Sequence, residues 1–306
     1  MIKTNVYRNL EWIDVDSPTL DEISLLIKKY DLHPLIGEEL LSPSRKSKVD
    51  VFGNHLFLTL QIPIRSKINN KYEVKEKEID FVISDKFIIT SKNELIEPLH
   101  NFSKILETNN ILDKRSTGEH AGILFFYMVK KIYDYMRNDL ENIKDALIEA
   151  EKHIFLGRER KMVEVISELS RELIDFKQTS GLHEETLESF KNIPKDFFGN
   201  EFNSFTEDLR AEYISIHDLV SSNKELLYDL RDTNDSLLST KQNESMKLFS
   251  ILAFVTFPLM LFLNLFMLPT THTPIIGHPF DWEIIALIVI VAALSMFAYF
   301  KKKEWL

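Results

Sequence analysis

The chain has 306 residues, no cysteine and a formal net charge of −10. The missing cysteines exclude a disulfide framework, a thiolate zinc site and a cysteine nucleophile. The acidic balance argues against a nucleic-acid binder, which needs a basic face to neutralise phosphates, and suits attraction of cations.

The N-terminal stretch MIKTNVYRNLEWIDVD lacks the basic start and apolar run of a signal peptide, so the soluble part is expected to stay in the cytosol. Within it, LEWIDVD (residues 10–16) reads as a strand. SPTLDEISLLIKKYDL (residues 17–32) predicts a helix with Ser17 as cap, Pro18 at the first position and Asp21 and Glu22 close behind. DVFGNHLFLTLQIPI, YEVKEKEIDFVIS and KFIITSK read as three further strands, with the KINN turn between the first two. Together these predict a small cytosolic domain of α+β class over residues 1–115, without internal repeats.

From about Thr117 the chain changes to long helical runs rich in Glu, Lys and Leu. These are interrupted at Gly157, at Ser180 and Gly181, and at IPKDFFGN, which predicts a helical hairpin region over residues 116–200. The last run begins near Glu201 and meets no proline or glycine until Pro258. It predicts one stalk helix over residues 201–268, on the order of 100 Å long, which needs partners along its length because isolated helices are marginal in water.

The apolar residues are concentrated at the C-terminal end. LFSILAFVTFPLMLFLNLFML (residues 248–268) and WEIIALIVIVAALSMFAYF (residues 282–300) are each long enough to cross a bilayer, and residues 248–300 carry only two formal charges, Asp281 and Glu283. Lys241 and Lys247 precede the first span and Lys301, Lys302 and Lys303 follow the second, in a basic tail of residues 301–306. The connecting loop of residues 269–281 has no Lys or Arg. The positive-inside rule therefore predicts a multi-pass protein of the cell membrane, the inner membrane where there are two, with both termini cytosolic and a turn-rich outer loop.

The long helix carries a seven-residue pattern with unusual occupants. One row reads Asp229, Ser236, Asn243, Ser250, Phe257, Asn264, and the row three residues on reads Asp232, Ser239, Met246, Ala253, Met260, Met267. A hydrophobic coiled coil would fill both rows with Leu or Ile. Polar and small side chains running into a bilayer need water or polar partners, and several copies around an aqueous axis supply them. Packing of Ser250 through its own backbone and helix gluing by Asn264 are the alternatives. On the pore reading, Phe257, Met260 and Met267 form apolar rings that can gate by dewetting, while Asn243 and Asn264 form rings of neutral oxygen for a hydrated cation.

The order of a short α/β domain, a helical hairpin, one very long helix entering the membrane, a short outer loop and a second span with a basic tail resembles the CorA magnesium transporters along essentially the whole chain. LHPLIGEELLSPSRKSKVDVFGNHLFLTLQIP, NESMKLFSILAFVTFPLML and FKKKEWL carry the resemblance most specifically. It implies a funnel-shaped homopentamer whose five long helices line the pore, with magnesium, and also cobalt or nickel, as transported ions and magnesium as the regulatory ion. Asn243 and Met246 resemble the family's constrictions near the cytosolic mouth and Pro258 its membrane proline. Asp232 falls on an acidic ring below the membrane. Asp208 falls on a position that in the family binds regulatory magnesium between subunits, with Glu76, Glu78 and Asp80 as partner candidates by location; for both aspartates the alternative is a solvated charge. The family's Gly-Met-Asn tripeptide is replaced by Met267, Leu268 and Pro269, a place that the related zinc-transporting ZntB type also varies.

His272 and His278 in the outer loop could ring the mouth with metal ligands, or be ordinary loop polars; the other histidines read as structural or exposed. No GxGxxG, GxxxxGK[ST] or GxSxG occurs, so no enzyme chemistry is expected. The resemblance therefore implies a divalent-cation channel that cytosolic magnesium closes, passive because no ATP-hydrolysis motif is present. The alternatives are a non-conducting membrane-anchored metal sensor or scaffold and a ZntB-like zinc transporter.

Overall fold

Ile2–Tyr7 (β1), Leu10–Asp16 (β2), Lys48–Phe52 (β3), His55–Ile68 (β4), Lys71–Ile83 (β5) and Phe87–Lys92 (β6) form one sheet in the order β1-β2-β6-β5-β4-β3. Only the β2 and β6 pair is parallel. The computed structural model describes residues 1–7, 9–44, 47–69, 71–107, 120–191, 198–199, 202–268, 275–277 and 279–303. The chain falls into two compact units, Met1–Arg231 and Asp232–Leu306.

Alternation along the strands sends apolar residues to both faces. On one face Ile13, Val15, Phe57, Val82 and Ile89 pack with Ile23 and Leu26 of α1 (Leu20–Tyr30) and Ile36 and Leu40 of α2 (Pro34–Leu41). Gly37 permits this, because a Cβ there would lie 2.5 Å from Ile27 Cδ1. On the other face Trp12 meets Phe102 of α3 (Glu97–Glu107), and Phe81 meets Phe125 of α4 (Gly122–Phe155), in edge-on ring contacts at 5.8 and 5.1 Å.

Three local readings are corrected. The helix expected from Ser17 begins at Leu20: the Ser17 N–H instead donates to the Lys92 carbonyl at 2.8 Å, holding it to the end of β6. Thr19 is the cap, and its hydroxyl and the Glu22 carboxylate satisfy each other's backbone N–H groups. The strand expected over residues 50–64 is split at Gly53, whose φ of +59° turns the chain between β3 and β4. The edge strand β1 was not foreseen.

Glu159–Ser180 (α5), His183–Lys191 (α6) and Phe202–Phe266 (α7) follow α4. The expected interruptions fall at helix ends: Gly157, with φ +82°, lies between α4 and α5, and Gly181 caps α5. Phe126 of α4 meets Phe205 of α7 edge-on, the tilted rings of Tyr133 and Tyr213 lie 6.5 Å apart, and Asn223 Nδ2 donates to the Leu140 carbonyl at 2.8 Å, so α4 and the first half of α7 run parallel.

Burial favours paired polar groups, and two in this unit show how the pairing is made. His183 Nε2 donates to the Gln61 carbonyl at 2.7 Å and Nδ1 lies 3.3 Å from the Tyr133 hydroxyl; burial pushes its pKa down to about 4. Asp80 accepts from Thr59 Oγ1 at 2.7 Å, yet burial, with Glu78 and Glu39 nearby, raises its pKa to about 7. A folded-state value above the unfolded one means that ionising Asp80 opposes folding, so its penalty grows from about pH 4 and is complete above pH 7. Asp80→Asn is therefore expected to stabilise the chain at pH 8 by on the order of 3–4 kcal/mol and to change little at pH 4, read by denaturant unfolding of both proteins at the two pH values. Equal stabilities at pH 8 would contradict it.

Candidate functional site

Helix α7 is continuous through the stripe from Asp229 to Asn264, with Met267 one residue past its end, and α8 (Asp281–Lys302) is the second apolar helix. Both are long and apolar enough to cross a membrane. Phe249, Phe254 and Leu261 on α7 and Trp282, Leu287 and Leu294 on α8 are all more than half exposed. So much contiguous apolar surface is incompatible with water around an isolated chain.

The contact between these two helices fixes which way the stripe faces. Ile251, Val255 and Leu259 of α7 pack against Met296 and Phe300 of α8. At 100° per residue these α7 positions centre roughly 180° from Ser250, Ala253, Phe257, Met260 and Asn264. Exposure agrees: Ile251 and Val255 are 2% and 5% exposed, whereas Phe257, Met260 and Met267 are 67%, 57% and 80% exposed. Asn243, Met246, Ser250 and Asn264 are exposed too, and Ala253 is half-buried. The stripe thus lies on the side of α7 opposite α8, and it shares its exposure with Phe249, Phe254 and Leu261.

Two hydroxyls in the apolar part of α7 are satisfied within the helix. Ser250 Oγ donates to the Met246 carbonyl at 2.9 Å and Thr256 Oγ1 to the Leu252 carbonyl at 2.9 Å, the back-bonding common in membrane helices. Asn264 has no such outlet: its backbone carbonyl accepts from Met267 N–H at 3.1 Å, and its carboxamide lies exposed on an apolar helix. Pro258 sits inside α7 and cannot donate to the preceding turn. Asp229 and Asp232 are exposed, and Lys301, Lys302 and Lys303 close α8 at an exposed end.

The acidic candidates separate sharply. Asp208 is exposed on α7, beside the buried Leu209 that packs inward. Glu76 is exposed on β5. Glu78 is occupied, accepting from Ser44 N–H at 3.0 Å and Gln61 Nε2 at 2.6 Å, and Asp80 is 5% exposed against Thr59. Among the described residues of one protomer no three His, Asp or Glu side chains converge as a metal site. His272, His278 and Pro269 lie outside the described residues. Sequence reading missed the face that α8 covers, although the four-residue spacing of Ile251, Val255 and Leu259 carries it.

A family model described as "CorA-like Mg2+ transporter protein" matches residues 8–302. The chain is 23% identical over 300 residues to the cobalt/magnesium transport protein CorA of Thermotoga maritima, covering 96% of this chain and 83% of that one. The complete structure of the CorA magnesium transporter from Methanocaldococcus jannaschii is similar at a TM-score of 0.82 and 19% identity, covering 97% of this chain and 92% of that chain. The ZntB cytoplasmic domain from Vibrio parahaemolyticus is similar at a TM-score of 0.59 and 10% identity, over 78% of this chain and 90% of that one. At these identities the structural likenesses establish the fold.

Proposed function

Because the chain belongs to the CorA-like Mg2+ transporter family, we propose that it is a membrane channel or transporter carrying divalent cations passively, with magnesium as the principal ion and cobalt or nickel as further ones. The observation that carries this reading is the exposed stripe of α7, set opposite the face that α8 covers. Copies arranged with α8 outward would turn Asp232, Asn243, Met246, Ser250, Ala253, Phe257, Met260, Asn264 and Met267 toward a common axis. Five copies, as in the funnel-shaped assembly that the resemblance implies, would form that axis. The relatives' names, cobalt/magnesium and magnesium transport, support the choice of ion.

In this reading residues 1–115 and 116–200 form the cytosolic part, residues 201–268 the stalk and first span, residues 269–281 the outer loop, residues 282–300 the second span and residues 301–306 a cytosolic basic tail. A hydrated magnesium ion gives up water reluctantly, so neutral oxygens of Asn243 and Asn264 suit it better than a tight charged cage. An inside-negative potential of 100 mV contributes about 4.6 kcal/mol for two charges, enough to drive entry without ATP. Cytosolic magnesium would close the pore by bridging Asp208 of one subunit to an exposed acid of the next. Glu76 suits that role better than Glu78 or Asp80, because it is exposed while they are engaged within their own domain.

The test is flux into liposomes holding the purified chain, comparing magnesium, cobalt, nickel and zinc with and without a proton gradient. Magnesium flux that ignores the gradient supports the proposal. No flux of any ion favours the non-conducting sensor, and gradient-dependent zinc flux favours the ZntB-like reading. In the same assay Asp208→Ala is expected to raise the internal magnesium needed for half-inhibition at least about fivefold, the equivalent of about 1 kcal/mol. An unchanged inhibition curve removes Asp208 from the gate.

A further inference from the structure

The turn between α4 and α5 combines two features that a solvated hairpin end does not need. Phe155 and Leu156 are 68% and 70% exposed at its tip. Around them Lys152, Arg158, Arg160 and Lys161 are exposed, and residues 152–163 carry a local charge of +3 in a chain of net charge −10, flanked by the acids Glu149, Glu151 and Glu164. The charges are partly organised: Lys152 pairs with Glu149 at 3.2 Å, and Arg158 Nη1 lies 3.2 Å from His153 Nδ1. Glu159 is buried, so the surface presented at the tip is basic and apolar.

The direction of α4 is fixed within its own unit. It runs parallel to the first half of α7, with Phe126 against Phe205 and Leu140 against Asn223. The α4–α5 turn therefore closes the end of this unit at which α7 leaves toward its apolar segment in the sequence.

We propose that this turn is a docking surface for anionic lipid headgroups, with Phe155 and Leu156 entering the interface and Lys152, Arg158, Arg160 and Lys161 matching the surface charge. An aromatic or aliphatic tip ringed by Lys and Arg suits the boundary between headgroups and acyl chains. Each basic residue near such a surface changes occupancy about fivefold. The inference rests on the reading that α7 and α8 cross a membrane, and it adds a second contact made by the soluble part.

Because the chain has no cysteine, Leu156→Cys gives a unique attachment point for a nitroxide. The full-length labelled protein is placed in nanodiscs of zwitterionic phosphatidylcholine, or of phosphatidylcholine with phosphatidylglycerol. The spectrum is read with dissolved oxygen and with a neutral, water-soluble nickel chelate. In anionic discs the label is expected to become oxygen-accessible and chelate-shielded. Either about 0.5 M KCl, which shortens screening to a few ångströms, or the substitutions Arg158→Glu, Arg160→Glu and Lys161→Glu together are expected to reverse that. A label equally exposed to the chelate in both lipids overturns the proposal. So does immobilisation or spin–spin broadening that is the same in detergent and in both lipids, which would mean that another copy of the chain covers the tip. A second label at Leu287→Cys on α8 separates the premises: if it reads as lipid-exposed while Leu156 does not, only the docking fails, and if it does not, the membrane reading fails.

Discussion

Arg65→Met is expected to destabilise the cytosolic part by about 3–5 kcal/mol, the cost of leaving a buried charge without its partner. Arg65 Nε donates to Glu172 Oε2 at 2.6 Å, and the two side chains are 8% and 5% exposed. The guanidinium also lies 3.7 Å from the centre of the Tyr72 ring. Close by, Asp139 Oδ2 accepts from the Arg65 backbone N–H at 3.3 Å, and burial pushes Asp139 up to about 6, against the lowering effect of Arg65. The substitution would strand Glu172 and strengthen the upward push on Asp139 in one step. Urea unfolding of the full chain in detergent at pH 7, followed by circular dichroism of the soluble part, measures the loss. The double variant Arg65→Met with Glu172→Met is expected to recover most of it, because buried ion pairs replaced by apolar residues of similar volume are often neutral. Arg65→Lys should fall between, since it keeps the charge and loses the planar stacking on Tyr72. A single variant as stable as the parent would show that Glu172 finds another partner or takes a proton.

This pair marks a limit of sequence reading. Arg65 and Glu172 stand 107 positions apart and lie on a strand and a helix whose local patterns say nothing of each other. What was legible is what depends on composition or on short spacing. The two apolar helices follow from the near-absence of charge over residues 248–300, and the helix starting at Leu20 announces itself through acids in its first turn. The cap lies two residues beyond Ser17, the better capping type taken alone, because Thr19 forms a capping box with Glu22 three residues on, a spacing present in the sequence, while Ser17 is held by a backbone bond to Lys92 far along the chain.

The acidic candidates show the same limit within one strand. Glu76, Glu78 and Asp80 are two residues apart and share a face of β5, so alternation alone treats them alike. The structure separates them because Asp80 pairs in register with Thr59 and Glu78 with Gln61, where Ser44 N–H also reaches Glu78, while Glu76 lies exposed further along the β4–β5 ribbon. Inside the apolar segment the difficulty is different. A helix that is hydrophobic all round has little contrast between its faces, so the four-residue spacing of Ile251, Val255 and Leu259 does not stand out from its apolar neighbours, and it is the contact with Met296 and Phe300 that marks it as the face meeting α8.

That face assignment makes the pore reading testable residue by residue in a chain with no native cysteine. In liposomes, Ser250→Cys and Asn264→Cys are expected to react with a charged, water-borne thiol reagent, and reaction should reduce cation flux more than about tenfold by placing a bulky charge in a narrow aqueous path. Ile251→Cys and Val255→Cys, packed against α8, should resist the reagent. Asn264→Ala tests the chemistry of the same position. An exposed carboxamide on an apolar helix is costly in lipid unless water or another polar group meets it, and a ring of such amides would compensate for the missing tripeptide at Met267–Leu268 by holding the ion's water shell one turn deeper. The variant is expected to weaken magnesium affinity for entry by about tenfold, the equivalent of about 1.4 kcal/mol, while leaving the assembly intact on gel filtration. If Asn264 instead glues helices together, Asn264→Ala would loosen the assembly and Asn264→Cys would stay unmodified. Unchanged affinity and flux would remove Asn264 from the ion's path altogether, leaving Asn243 as the stripe's other asparagine within α7.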